Sequence, residues 1–177
     1  MTSFWIPCEG EQLEQGDYLP ECWIPVIGAD FEPSAAEPEV SFGRSNLVIV
    51  TQSCDLSNEK IRLAALCPIA DLATWERLNP DHAKRGFWES VRQGRREGLH
   101  MLGAFGAASD GRNSLVVDFR QIFSLPMPYL RKHATGMRSR WRLQSPFREH
   151  FSQAFARFFM RVGLPAAIPA FGACQQL

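Results

Sequence analysis

A thiol and a carboxylate stand side by side at Cys54 and Asp55. They follow the apolar run Leu47, Val48, Ile49, Val50 and the polar residues Thr51, Gln52 and Ser53. A cysteine on a strand-end turn becomes a nucleophile when a neighbouring base takes its proton. His100, His133 and His150 are the histidines placed on or beside core elements, and so the available bases. An adjacent carboxylate works the other way, because two anions repel. The alternative reading makes Cys54 a small packed side chain and Asp55 a cap for the backbone N–H groups of the turn. In that reading Asp55 is structural and draws a cation from the C-terminal arginines. A zinc site built from Cys54, Cys67 and histidines would lack any C-x-x-C or H-x-x-x-H spacing, so no metal and no cofactor is expected.

The second set of candidates is basic. Arg138, Arg140 and Arg142 alternate along a predicted strand and fall on one face, where three like charges are costly unless they meet acids or phosphate. Arg157 and Arg161 stand at i,i+4 on a predicted helix whose earlier turns carry Arg148, Glu149, His150 and Gln153. These five arginines, 138, 140, 142, 157 and 161, are candidate contacts for nucleic acid or another anion. The acidic stretch 30–39 is the internal alternative for the strand. The formal net charge of zero hides a split: residues 1–60 carry eleven acids against Arg44 and Lys60, a net −9, and residues 61–177 carry +9. Such asymmetry fits either two halves that neutralise each other or a basic face for an anionic partner.

The elements that must position these residues read as α+β. The run 47–50, bounded by turn formers, is a fully buried strand. Residues 61–69 form a second buried strand, and the two make a hairpin connected through Cys54 and Asp55. A strand over 16–27 is broken by Pro20 and Pro25, which implies an edge or a bulge. Residues 28–43, acidic and with two prolines, read as a surface loop. Helices are predicted over 70–78 and, capped by Asp81, over 81–96. Short strands follow at 99–102, 114–119 and 122–125, then a helical turn at 129–135 and a strand at 138–143. The final helix, 145–163, has Ser145 as N-cap, Pro146 at the first position and Gly163 beyond its end. Phe147, Phe151, Phe155, Phe158, Phe159 and Val162 form its apolar stripe, centred on Phe155.

At 177 residues the chain reads as one domain, 1–177. It has no apolar run long enough to span a membrane. Its N-terminal stretch has neither a basic nor an apolar signal region, which predicts a cytoplasmic protein. The five cysteines, irregularly spaced, then read as reduced thiols.

The order of pieces carries a resemblance. Gly16-Asp17 opens a strand, a loop follows, Gly43-Arg44 leads into Leu47-Val-Ile-Val, and the next strand ends Leu66-Cys-Pro-Ile69. Over residues 15–70 this resembles the MazF/PemK family of SH3-like barrel toxins. The resemblance implies a small SH3-like β-barrel from the strands of 15–70, a helical insertion at 71–97, remaining strands in 98–143 and the amphipathic helix 145–163. It also implies RNA cleavage using a loop arginine, here Arg44, with a Thr or Ser after the third strand. That second position falls at Ala70 and Asp71 and holds no hydroxyl, and the family's proline after the arginine is Ser45. The whole chain is also similar to a group of small bacterial proteins that pair a Gln-x-Cys-Asp strand end with a tail like residues 145–165, a similarity that implies no activity. Three functions follow in order. The first is a binding module for nucleic acid or a protein partner in a toxin–antitoxin or phage-defence setting, with a homodimer compatible. The second is a MazF-like endoribonuclease using Arg44, which needs a hydroxyl or imidazole near that residue. The third is a thiol- or metal-dependent enzyme using Cys54 and Asp55, which needs an imidazole beside the thiol.

Overall fold

Leu47, Val48 and Ile49 have no exposed surface and Val50 almost none, because this run is covered on both faces. The computed structural model describes residues 3–29, 31–32, 40–58, 60–84, 86–106 and 113–160. Its elements are β1 (Trp5–Cys8), β2 (Tyr18–Val26), β3 (Ser41–Ile49), α1 (Ser53–Ser57), β4 (Leu63–Asp71) and α2 (Leu72–Leu78). A 3-10 turn (Pro80–Ala83) follows, then α3 (Phe87–Arg92), β5 (Leu99–Leu102), β6 (Leu115–Asp118), β7 (Phe123–Pro126), α4 (Met127–Thr135), β8 (Arg140–Leu143) and α5 (Phe147–Phe159). The chain is thus α+β, with antiparallel strand pairing throughout the described residues.

Strand alternation sorts the β3 run into two cores. Leu47 and Ile49 join Leu19, Ile24 and Leu66 beneath Met127, Leu130 and Ala134 of α4. Val48 and Val50 join Trp5, Cys67, Ile69, Val117 and Leu143 beneath Phe151 of α5. A third cluster seats α2 and α3, through Leu72, Trp75 and Val91, on Leu99 and Val116. The β3–β4 hairpin forms as its two apolar runs require, pairing Val48 with Cys67. Its connection differs from the expected turn: Ser53–Ser57 is a one-turn helix. β2 is the edge strand, with a register shift between Leu19 and Cys22, where Pro20 and Glu21 interrupt the ladder.

Two expectations need correction. The predicted helix over 81–96 is divided, because Gly86 adopts a left-handed conformation (φ 82°) and α3 starts after it. Asp81 pairs with Lys84 rather than capping a long helix. The implied SH3-like barrel is not closed among the described residues: the ladder runs β2-β3-β4-β6-β5, with β7 on the first half of β4, and stays open. β1 and β8 form a separate two-stranded ladder, tied to β2 by one bridge between Asp17 and Arg142. The far side is spanned by a side chain instead of a ladder, where the Trp5 indole N–H donates to the Gly103 carbonyl at 2.8 Å.

α5 begins at Phe147, with Pro146 rather than Ser145 in the cap position. Phe151 has no exposed surface, while Phe147, Phe155 and Phe158 are half-buried around it. The stripe is therefore centred one turn earlier than expected. Val162, Gly163, Arg161 and Cys174 lie outside the described residues.

Phe151→Ala should destabilise the protein by about 3–5 kcal/mol and Phe159→Ala, whose ring is 55 % exposed, by under about 0.5 kcal/mol. Denaturant titration of the two variants checks the centre of the stripe; equal losses would contradict it.

A pH dependence follows from His100. Burial, with the His150 charge second, pushes its imidazole down to about 4 from an ordinary 6.5. Between those values the unfolded chain binds more protons, so stability rises with pH. The His100 contribution is complete above 6.5 and is lost as the pH falls through 4. His100→Phe should therefore lose less stability than the parent between those pH values, measured as denaturation midpoints. Parallel curves would exclude His100 as the source.

Candidate functional site

Two stretches singled out by sequence, Gln52 to Cys54 and the final helix, meet in one cleft of about 540 Å³, which Asp55 does not line. One wall is Gln52, Ser53 and Cys54 of α1 and its cap, the other is Arg148, Glu149, Ser152 and Gln153 of α5, and Glu14 and Gln15 close the end. Local chemistry fixes each wall. The Ser53 hydroxyl accepts from the Gln15 backbone N–H at 3.1 Å. The Gln15 amide donates to the Val50 carbonyl at 2.8 Å, which holds the strand end against the N-terminal segment. Arg148 donates to Glu14 at 2.8 Å, which fixes α5 to the same segment.

Cys54 is exposed in this cleft. Its sulfur lies 3.6 Å from Gln52 Oε1 and 3.9 Å from Asp55 Oδ1. No histidine is among the cleft residues. His133 is on α4, bonded to the Pro20 carbonyl at 2.8 Å. His100 packs on Phe119, and His150 is exposed on α5. The imidazole that the thiol-enzyme reading needs is therefore not beside the thiol. By contrast, burial pushes the Cys22 and Cys67 thiols up to about 11 and about 12. Among the described residues no three His, Cys, Asp or Glu side chains are grouped to hold a metal ion.

Asp55 does not play the expected structural role. It sits half-buried in the first turn of α1, and among the described residues its side chain takes only the weak thiol contact. The carboxylate that gathers arginines is Asp17, which is fully buried. Arg140 Nε donates to Asp17 Oδ2 at 3.0 Å, and Arg142 donates to both Asp17 oxygens, at 2.5 and 2.9 Å. Arg140 also donates to the carbonyls of Gly10 and Gln12, and Arg142 donates to Glu14 at 2.5 Å. Arg140 and Arg142 do hold anions, but these belong to the chain. The internal partners of Arg140 and Arg142 are Asp17 and Glu14; of the acidic stretch 30–39, residues 30 and 33–39 lie outside the described residues. Arg138 precedes β8 and is exposed, so the three arginines do not form one basic face.

Arg44 lies within β3 opposite Trp23 rather than in a loop. Its guanidinium stands 4.5 Å over the Trp23 ring and 3.7 Å from Glu21. The Tyr129 hydroxyl, next to this pair, accepts the Trp23 backbone N–H at 2.8 Å. Burial raises the Tyr129 pKa, and the Arg44 charge acts in the opposite direction. Arg157 is exposed on α5 and lines a separate cleft with Arg96 and His100. Sequence reasoning missed Asp17 and Gln15. The available signal was an aspartate beside Gly16, whose positive φ (86°) and close approach to Leu143 bring that residue under β8.

Asp17→Asn should cost about 3–5 kcal/mol, because two guanidiniums would be left facing a neutral amide in the interior. Asp55→Asn should stay within about 0.5 kcal/mol of the parent. Thermal or urea melts of the two variants side by side check this; a larger loss from Asp55 would restore it as the structural carboxylate.

In comparisons with known proteins, no family model and no curated protein matches this chain.

Proposed function

We propose that the protein is a binding module whose partner is another protein, docked on the outer ribbon of β2 and β3. One observation carries this reading. Trp23 and Phe42 are 48 % and 65 % exposed, and Ile27 and Val40, the residues that follow β2 and precede β3, are exposed as well. The register sets Trp23 opposite Arg44 and Pro25 opposite Phe42, so these four side chains share one face. A contiguous apolar patch on a sheet edge, with a tryptophan and an arginine at its centre, is the composition of a protein contact. The charge around it supports a protein rather than a nucleic acid. Glu21 pairs with Arg44, and Arg140 and Arg142 are spent on Asp17. The partner should then offer an apolar centre with a basic rim. The toxin–antitoxin or phage-defence setting, and a cytoplasmic location, belong to this proposal through the MazF/PemK resemblance.

A MazF-like endoribonuclease is the second reading, favoured by the exposed Arg44 with the Tyr129 hydroxyl close by. In that reading the curled, open sheet is a variant of the SH3-like barrel.

A photo-crosslinking side chain at Phe42 is the test, with one at the exposed Leu78 as control. The expected outcome is a discrete protein adduct in cells from Phe42 alone, lost when Trp23→Asp is added while the melting temperature is kept. Absence of any adduct at Phe42 would remove the reading. RNA cleavage by the purified chain that disappears in Arg44→Ala would replace it with the second.

A further inference from the structure

The cleft between α5 and the turn 94–99 is not part of either reading. It encloses about 350 Å³, the small end of the range for ligand sites. Its apolar floor includes Leu99, Phe119, Ala154 and Phe158, and Arg96 and Arg157 stand at it from opposite elements. Arg96 is braced: its Nε donates to Ser90 Oγ at 3.0 Å and its guanidinium lies 5.0 Å over the Phe87 ring. Arg157 is exposed and has no carboxylate partner among the described residues. Glu97, also at the cleft, is already partnered. The backbone is shaped for this arrangement. Gly98 has φ 77°, and a Cβ there would stand 2.5 Å from Arg120 and 3.3 Å from the Phe158 ring.

His100 points to a ligand independently of the arginines. Its ring is largely buried between Phe119 and Phe151, lines the cleft, and makes no hydrogen bond within the described chain. Among the described residues no buried side-chain nitrogen or oxygen lacks a partner, so the ring nitrogens are not sealed in a closed interior, and the residue lines the cleft. Burial keeps the imidazole neutral at pH 7. It therefore offers one donor and one acceptor.

We propose that this cleft binds a nucleotide, with its phosphate between Arg96 and Arg157, its flat base on the Phe158 side of the apolar floor, and a polar edge on His100. Guanidiniums match phosphate oxygens in pairs, and bases stack on aromatic and guanidinium planes. A bare phosphate would use the two arginines and leave the apolar floor and the imidazole unoccupied. The same chemistry occurs in a free mononucleotide and in the terminal nucleotide of a strand.

Calorimetric titration of the full chain with inorganic phosphate, UMP, AMP and a 5′-phosphorylated tetranucleotide is the test. At least one nucleotide should bind about tenfold or more tightly than phosphate. Arg157→Gln and Arg96→Gln should each weaken it by about tenfold at an unchanged melting temperature, and the His100 ring signals should shift on addition. A tetranucleotide tighter than the mononucleotides assigns the site to strand ends; equal or weaker binding assigns it to free nucleotides. Either supports the site. No binding up to roughly 10 mM, phosphate as tight as every nucleotide, or binding that survives both substitutions overturns it. A missing adduct at Phe42 leaves these outcomes unaffected, so the two proposals fail separately.

Discussion

Asp17, a carboxylate with no exposed surface, is the point on which the two ends of this chain close. Burying one carboxylate and one guanidinium costs several kcal/mol per ion unless their polar atoms are partnered. Here they are. Asp17 receives Arg140, Arg142 and the Glu14 backbone N–H, and the other nitrogens of Arg140 go to the carbonyls of Gly10 and Gln12. The network continues from Arg142 to Glu14 and from Glu14 to Arg148. Its role is to specify placement more than to add stability. It sets β8 against the strand that starts at Tyr18, thereby attaching the β1–β8 ladder, and it positions the first turn of α5. The charge asymmetry of the sequence thus has an internal explanation at this point: acids of the first sixty residues meet bases of the last forty.

What was legible in the sequence was local. Leu47 to Val50 could be read as a buried strand because four consecutive apolar residues fit a strand covered on both faces, and two cores supply that cover. Pro20 and Pro25 marked an edge or a bulge because proline cannot donate to a ladder, and β2 has both an edge position and a register shift. What was not legible depends on distant residues. The strand spacing of Arg140 and Arg142 was visible, but nothing local says that Asp17, more than 120 residues away, lies beneath them. The stripe of α5 was read correctly as a stripe, yet its centre is Phe151 because that ring meets Phe119 and His100 of the sheet. A sheet that ends open rather than closed is likewise decided by edges far apart in sequence, where Trp5 meets Gly103.

The candidate thiol illustrates how a site can be located without its chemistry following. Gln52, Ser53 and Cys54 were singled out, and they do line the largest of the clefts described above. The side chains brought to them are amides, hydroxyls and an ion pair already satisfied internally. Such groups donate and accept hydrogen bonds, and no imidazole is among the residues that line this cleft. A cleft of this composition can orient a polar segment; the histidines that could serve a thiol nucleophile are on other parts of the fold.

α5 links these observations. Phe147, Phe151 and Phe155 seat it on the sheet. On one flank Arg148, Glu149, Ser152 and Gln153 face α1, and on the other Ala154, Arg157 and Phe158 face the turn 94–99. One helix therefore forms a wall of two clefts with different linings, and both depend on the same aromatic seat. The Glu14–Arg148 pair holds its first turn and the aromatic cluster holds its middle, so the helix is fixed at two points along its axis. A helix pinned at one point can roll; pinned at two, it can only move as a body with the sheet. The lining of either cleft can then change at its exposed positions, Gln153 on one flank and Arg157 on the other, without disturbing the other cleft, because neither of these belongs to the ion pair or the aromatic seat that holds the helix.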